Sequence, residues 1–190
     1  MKNSFLTLSL LALVTIGLQS QDVWKLDKTH SKFTFTVVHL GLAEVDGVFK
    51  EYEATITTTE SDFSDAVIVA SADLTTVDTN NGGRNAHLQR DDMFDTANHP
   101  TLKFMSTGIE KVDDKNFKVT GDLTIKGTTK SVDLNLRLIG TGKNPRSQKD
   151  LAGFKMTGTI NRTDFGVGGM PSMMVSHEVE LSASGEFIKQ

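Results

Sequence analysis

The sequence predicts an all-β protein, an antiparallel barrel or sandwich, from three observations. Over residues 131–139, Val132, Leu134, Leu136 and Leu138 alternate with Ser131, Asp133, Asn135 and Arg137. Over residues 178–187, Val179, Leu181, Ala183 and Phe187 alternate with Glu178, Glu180, Ser182 and Glu186. A period of two is the mark of a strand with one buried and one wet face. The third observation is that such segments, separated by turn residues, fill most of the chain after residue 20. One-faced strands must curl or stack to hide their apolar sides.

Taken in order, residues 23–27 form a short strand candidate followed by a turn at Lys28-Thr29. Phe33, Phe35, Val37 and His39 then share one face against Lys32, Thr34 and Thr36. Gly47 marks a bulge or tight bend before Ala54, Ile56 and Thr58 resume the alternation. Ala66, Ile68, Ala70, Ala72 and Leu74 follow with the same period, and three alanines on one face leave room opposite them. Residues 78–100 break the pattern. Asn80-Asn81-Gly82-Gly83 and the spacing beyond it predict one or two short helices near residues 80–97, ended by His99-Pro100. Strands return at 101–107 and at 117–125, and Lys126-Gly127-Thr128 turns into the strand at 131. Phe154, Met156 and Ile160 continue the sheet, a Gly- and Met-rich loop spans 164–174, and residues 178–187 close it.

Lys2, the apolar run from Phe5 to Leu18 and then Gln19, Ser20 and Gln21 have the layout of a secretory signal, assigned to residues 1–20. Residues 21–190 then make one domain in the periplasm or, alternatively, a secreted one. The apolar run is shorter than the ~20 residues of a spanning helix, so stable membrane insertion is not expected. A formal net charge of −4 does not suit nucleic acid or an anionic membrane. With no cysteine, disulfides, thiol catalysis and iron–sulfur ligation are excluded.

The five histidines, His30, His39, His87, His99 and His177, lack the close helical spacing of a zinc-protease site. A hydrogen-bonded structural role is the simpler reading of each, and a site gathered from distant histidines stays open. Gly166-Val167-Gly168-Gly169 is followed by no helix, so its glycines serve a turn or bulge rather than a nucleotide. Met170, Met173 and Met174 either fill gaps or form an adaptable apolar lip to a binding site.

Several blocks together carry a family resemblance. They are Trp24-Lys25-Leu26-Asp27 with His30-Ser31, the run from Phe35 to Gly41, Gly47-Val48-Phe49, Asp78-Thr79-Asn80 with Arg84 and His87-Leu88, and Asp92-Met93-Phe94. Pro100 to Phe104, Gly121-Asp122-Leu123-Thr124-Ile125-Lys126-Gly127 and Asn161-Arg162-Thr163-Asp164-Phe165-Gly166 complete the set. In this order, over nearly the whole chain beyond the leader, the sequence resembles the YceI-like, polyisoprenoid-binding proteins. The resemblance implies an extended lipocalin-like antiparallel β-barrel of about eight strands, exported, often a homodimer, with an apolar tunnel for an isoprenoid quinone or polyprenyl lipid. In that frame Phe33 or Phe35, Val37, Ile68, Phe104, Leu123, Leu134, Leu136 and Phe154 line the wall. His39, Arg84 and His87 meet a head group, and Met170 and Met173 sit at the lip. The expected role is binding for transport, storage or sequestration, with no catalytic residue, metal ligand or cofactor other than the lipid. Two alternatives are an enzyme acting on such a lipid with Arg84 and His87 at its polar centre, and a haem or metal carrier. Asn85 stands where the family commonly has aspartate, which puts in question how Arg84 is held.

Overall fold

The computed structural model describes residues 20–190, so the proposed signal segment lies almost wholly outside the described residues. Ten strands form one antiparallel sheet: β1 (Asp22–His39), β2 (Ala43–Phe49), β3 (Tyr52–Thr58), β4 (Val67–Asp73), β5 (Val77–Asp78), β6 (Thr101–Lys111), β7 (Asn116–Ile125), β8 (Thr128–Lys143), β9 (Asp150–Asn161) and β10 (Glu178–Lys189). β10 pairs back onto β1, so the sheet closes. The closed ring has eight staves, as expected, because two of them are each made of two strands laid end to end. β3 pairs with the first part of β1 and β2 with its last part. β4 and β5 lie beside β3 and β2 in the same way. Neighbours in sequence are neighbours in the ring, the simplest way to bring one-faced strands together without an exposed edge.

The expected turn at Lys28-Thr29 is instead part of one 18-residue strand. The strand survives because it bulges: its register with β10 shifts between Asp27 and Ser31, and there it changes partner from β3 to β2. The Asp27 carboxylate holds the bulge by accepting from the Thr29 backbone N–H at 2.9 Å and hydroxyl at 2.7 Å, with His30 Nδ1 at 2.8 Å. The helical insertion reduces to α1 (Gly82–Leu88), capped by the Asn81 side chain, with turns from residue 90 to 98. No helix among the described residues is long and apolar enough to cross a membrane.

Strand direction assigns the two ends of the barrel. The β1–β2 turn, α1, the β7–β8 turn and residues 162–177 share one end, here called the mouth. At the other end Trp24, Phe63, Phe154 and Phe187 stack in sequence, with centroids 5.4, 5.0 and 5.7 Å apart, the last two contacts edge to face. Such pairs add specific geometry to the burial of large rings, and here they plug the barrel. The alternation read from the sequence is realised: Ile68, Ala72 and Leu74 on the β4 line and Leu134 and Leu136 on β8 are buried, while Val67 and Val69, on either side of Ile68, face out.

The Asp27–His30 clamp makes stability depend on pH. Hydrogen bonds from His30 and then Thr29 hold the Asp27 carboxyl at about 2, and the same contact with Asp27 raises His30 above its ordinary 6.5. A depressed acid stabilises above its unfolded pKa and loses that contribution as pH falls through the folded one; a raised base does the reverse. The clamp is therefore complete between about pH 4 and pH 6.5 and weakens on either side. In urea denaturation between pH 5 and pH 9, His30→Gln is expected to abolish the part of the decline above pH 6.5 that this residue causes.

Candidate functional site

The plugged barrel is not solid. Two cavities lie along its axis, about 110 Å³ next to the plug and about 170 Å³ toward the mouth. Leu102 and Leu181 line both, forming a waist between them. The deep cavity is walled by Ile68, Phe104, Leu123, Leu134, Leu136 and Phe154 among others, and its surface is almost entirely carbon. The outer cavity has Phe35, Val37, Phe49 and Ile160 along its wall and gathers Thr79, Arg84, His87, His39 and Arg162 around it.

Large inward side chains would block the lumen if they stood upright. Two glycines let them lie flat. Phe35 faces Gly47 across the β1–β2 ladder, and a Cβ on Gly47 would sit 2.2 Å from the Phe35 ring. On the opposite wall a Cβ on Gly121 would meet Phe104 at 2.5 Å. Gly47 is thus neither a bulge nor a bend but floor space for a ring, a use of strand glycine that depends on its neighbour.

The mouth is built by polar side chains that hold backbone. Arg162, buried, spends all five donors on main-chain carbonyls: Nε on Ser176 at 3.0 Å, Nη1 on Val167 and Gly168 at 2.9 and 2.8 Å, and Nη2 on Met170 and Val175 at 2.7 and 3.1 Å. Burial pushes its pKa down, yet five carbonyl dipoles replace the water it has lost. One side chain thereby folds the Gly- and Met-rich loop over the barrel. Lys126 bridges that loop to the segment after α1, donating to Asp91 O at 2.6 Å and Gly166 O at 3.0 Å.

Arg84 donates through Nε to the Thr79 hydroxyl at 2.8 Å and through Nη2 to Thr79 O at 2.7 Å. Thr79 is fixed by Asn85, whose Oδ1 accepts from its N–H at 2.8 Å and its hydroxyl at 2.7 Å. Asn85 Nδ2 donates to Asp78 at 3.0 Å. Asn85 therefore does hold the arginine, at one remove. An aspartate could accept the same two bonds but would set its second oxygen against the Asp78 carboxylate, which here stays ionised beside Lys50, held at about 2. His87 faces Asp92 at 3.3 Å, a contact that lowers the Asp92 pKa.

The structure places thirteen of the fourteen expected residues on these walls. Phe33, Ile68, Phe104, Leu123, Leu134, Leu136 and Phe154 line the deep cavity; Phe35, Val37, His39, Arg84, His87 and Met170 line the outer one. Both Phe33 and Phe35 face inward, in different cavities. Met173 is the exception, exposed and on neither wall. Leu102, Leu181 and Met156 complete the walls without having been expected, and so does Arg162, for which the only sequence signal was its place in a motif. Asp27, His30 and Glu186 place ligand atoms within 4.8 Å of one another on the outer surface, but Asp27 already carries the bulge, and all three lie outside both cavities.

A family model, the YceI-like domain, matches residues 24–187. The chain belongs to the YceI-like family. It is similar to protein YceI of Escherichia coli, 35% identical over 193 residues that cover all of both chains. The fold matches the crystal structure of a Campylobacter jejuni YCEI protein with a TM-score of 0.73 at 30% identity, over 80% of this chain and 90% of that one. It also matches a polyisoprenoid binding domain from Saccharophagus degradans, with a TM-score of 0.66 at 16% identity, over 88% and 98% of the two chains. In this YceI-like barrel Lys126, Arg162 and Thr79 with Arg84, all within the sequence blocks that carry the resemblance, help to shape the mouth.

Two substitutions test the construction. Gly47→Ala is expected to leave a folded barrel about 1–3 kcal/mol less stable, with the Phe35 ring driven into the outer cavity, visible as ring-current changes in NMR spectra of Val37 and Leu181. Arg162→Lys keeps the charge but has three donors for five carbonyls. It is expected to cost about 1–3 kcal/mol per stranded carbonyl and to raise hydrogen exchange across residues 166–176.

Proposed function

We propose that this protein binds a single long-chain isoprenoid lipid, tail inward, and carries or stores it without chemical change. One observation supports the reading above the rest: the lumen grades from a cavity beside Phe154 and Phe187 whose surface is almost entirely carbon to a mouth where Arg84, His87 and His39 collect. That gradient matches an amphiphile with one polar end. The Saccharophagus degradans neighbour is described as binding polyisoprenoids, which agrees in ligand class.

The cavities are individually below the roughly 300–1,000 Å³ of pockets for compact small molecules. They suit a thin chain threaded past Leu102 and Leu181 better than a broad macrocycle such as haem. Leu102, Leu181, Met156 and Met170 have the rotamer freedom to part for such a chain. Binding is preferred to catalysis because Arg84 is committed to Thr79 and no activated nucleophile adjoins His87. Each buried methylene contributes up to about 0.8 kcal/mol, so the tail can hold the ligand with little help from its head. An exported, periplasmic place of action goes with the leader-like layout of residues 1–20.

Titration with prenyl alcohols of increasing length is expected to show affinity rising several-fold per isoprene unit until the lumen is full, then levelling. Ala70→Phe, which fills the deep cavity from a wall position, should weaken the long alcohols at least tenfold, about 1.4 kcal/mol, while shorter ones are little affected. Affinity independent of chain length would refute the proposal.

A further inference from the structure

Among the described residues, five of the ten exposed large apolar side chains stand together at the mouth: Val38, Leu40, Leu42, Met173 and Met174. They belong to two segments joined as one body. Leu40 N donates to Met174 O at 3.0 Å, Ser176 N to Val38 O at 2.9 Å and Val38 N to the Ser176 hydroxyl at 3.0 Å, and His39 bridges to Val175. The exposure is large, 86% for Leu42 and 76% for Met173. Leu40 and Gly41 occupy the centre of the β1–β2 turn with φ of 53° and 67°. Such turns favour Asn, Asp or Gly, so a leucine there forgoes local preference and is held out in water.

Two further facts say what covers this surface. First, it is uncharged: residues 37–43 and 165–176 contain no Asp, Glu, Lys or Arg, in a chain that is 23% charged. In sequence the charges that flank them are the exposed acids Glu44, Asp164 and Glu178; the basic groups that touch the second segment, the buried Arg162 and Lys126, are engaged with its carbonyls. Second, it is continuous with the lumen, since Val37, His39, Met170 and Val175 of the same segments line the outer cavity. A protruding tip of leucine and methionine suits a deformable apolar medium rather than a groove of fixed shape.

We infer that the lip formed by residues 38–42 and 173–174 docks on the surface of a lipid bilayer, dipping its apolar side chains among neutral head groups so that the tunnel opens directly onto the lipid. The inference deepens the lipid-binding reading, on which it rests only for the identity of the cargo. The absence of basic residues on the lip and the acidic flanks make the favoured surface zwitterionic, not anionic.

Because the chain has no cysteine, a single Leu42→Cys can be labelled with an environment-sensitive fluorophore and mixed with phosphatidylcholine vesicles. The dye should shift to the blue and be quenched by brominated phosphatidylcholine; the same dye on Asp114→Cys, at the plugged end, should not respond. Adding Leu40→Ser and Met173→Ser to the Leu42→Cys protein is expected to raise the lipid concentration for half response roughly tenfold or more, and replacing part of the lipid with phosphatidylglycerol should not strengthen it. A silent dye at 42, equal responses at 42 and 114, or a response untouched by the serines would overturn the inference. So would a shift that grows with protein concentration in the absence of vesicles, which would mark the lip as a contact between two copies. Uptake of geranylgeraniol in vesicle-free buffer, measured on the same variants, separates the two ideas: if it fails while position 42 still enters the bilayer, the tunnel reading falls and the lip stands.

Discussion

Closure of the sheet by β10 on β1 is the constraint from which the rest of this structure follows. It joins Trp24 to Lys189 at one end and Thr36 to Glu180 at the other, so that the long terminal strands cover one another's edges. With eight staves the interior is wide enough for side chains to fill or for one slender ligand. Which outcome prevails is decided by side-chain size at each level. At the plugged end four stacked aromatic rings fill the section; further up, alanine at 70 and glycine at 47 and 121 leave it open.

Closure also forces the two ends to differ. At the plugged end the carboxylates of Asp65 and Asp113 hold the connecting turns by accepting from their backbone amides. The mouth is made of irregular backbone, and irregular backbone in a partly buried place must have its carbonyls and amides satisfied. Arg162, Lys126 and Asn85 do this: Arg162 and Asn85 tie up main-chain groups of their own loops, and Lys126 joins two segments far apart in sequence. These three residues serve largely as scaffolding for the mouth, and the deep cavity is lined by side chains that present almost only carbon.

Much of the site was legible from residue order. The inward positions 33, 35 and 37 on β1, 134 and 136 on β8, and 68 on β4 follow from alternation alone, because adjacent side chains in a strand point to opposite faces. The continuation of β1 through Lys28-Thr29 was not legible: those residues look like a turn, and only pairing with β10 on one side and with β3 then β2 on the other keeps them extended. Met170 and Met173 are three residues apart in a segment with no period, so nothing local separates the one on the cavity wall from the one in solvent. Arg162 drew notice as a motif member, but its task depends on carbonyls brought together by the loop it folds.

Taken alone, the order of residues determined that this chain makes one-faced strands and which side chains turn inward. Those properties arise from steric and solvation preferences acting over a few residues. The tertiary structure decided that the interior stays hollow, because that depends on which glycine lies across from which ring. It also decided where the polar groups collect and that an apolar lip stands beside the opening, because both require segments more than a hundred residues apart to meet at one end of a closed sheet.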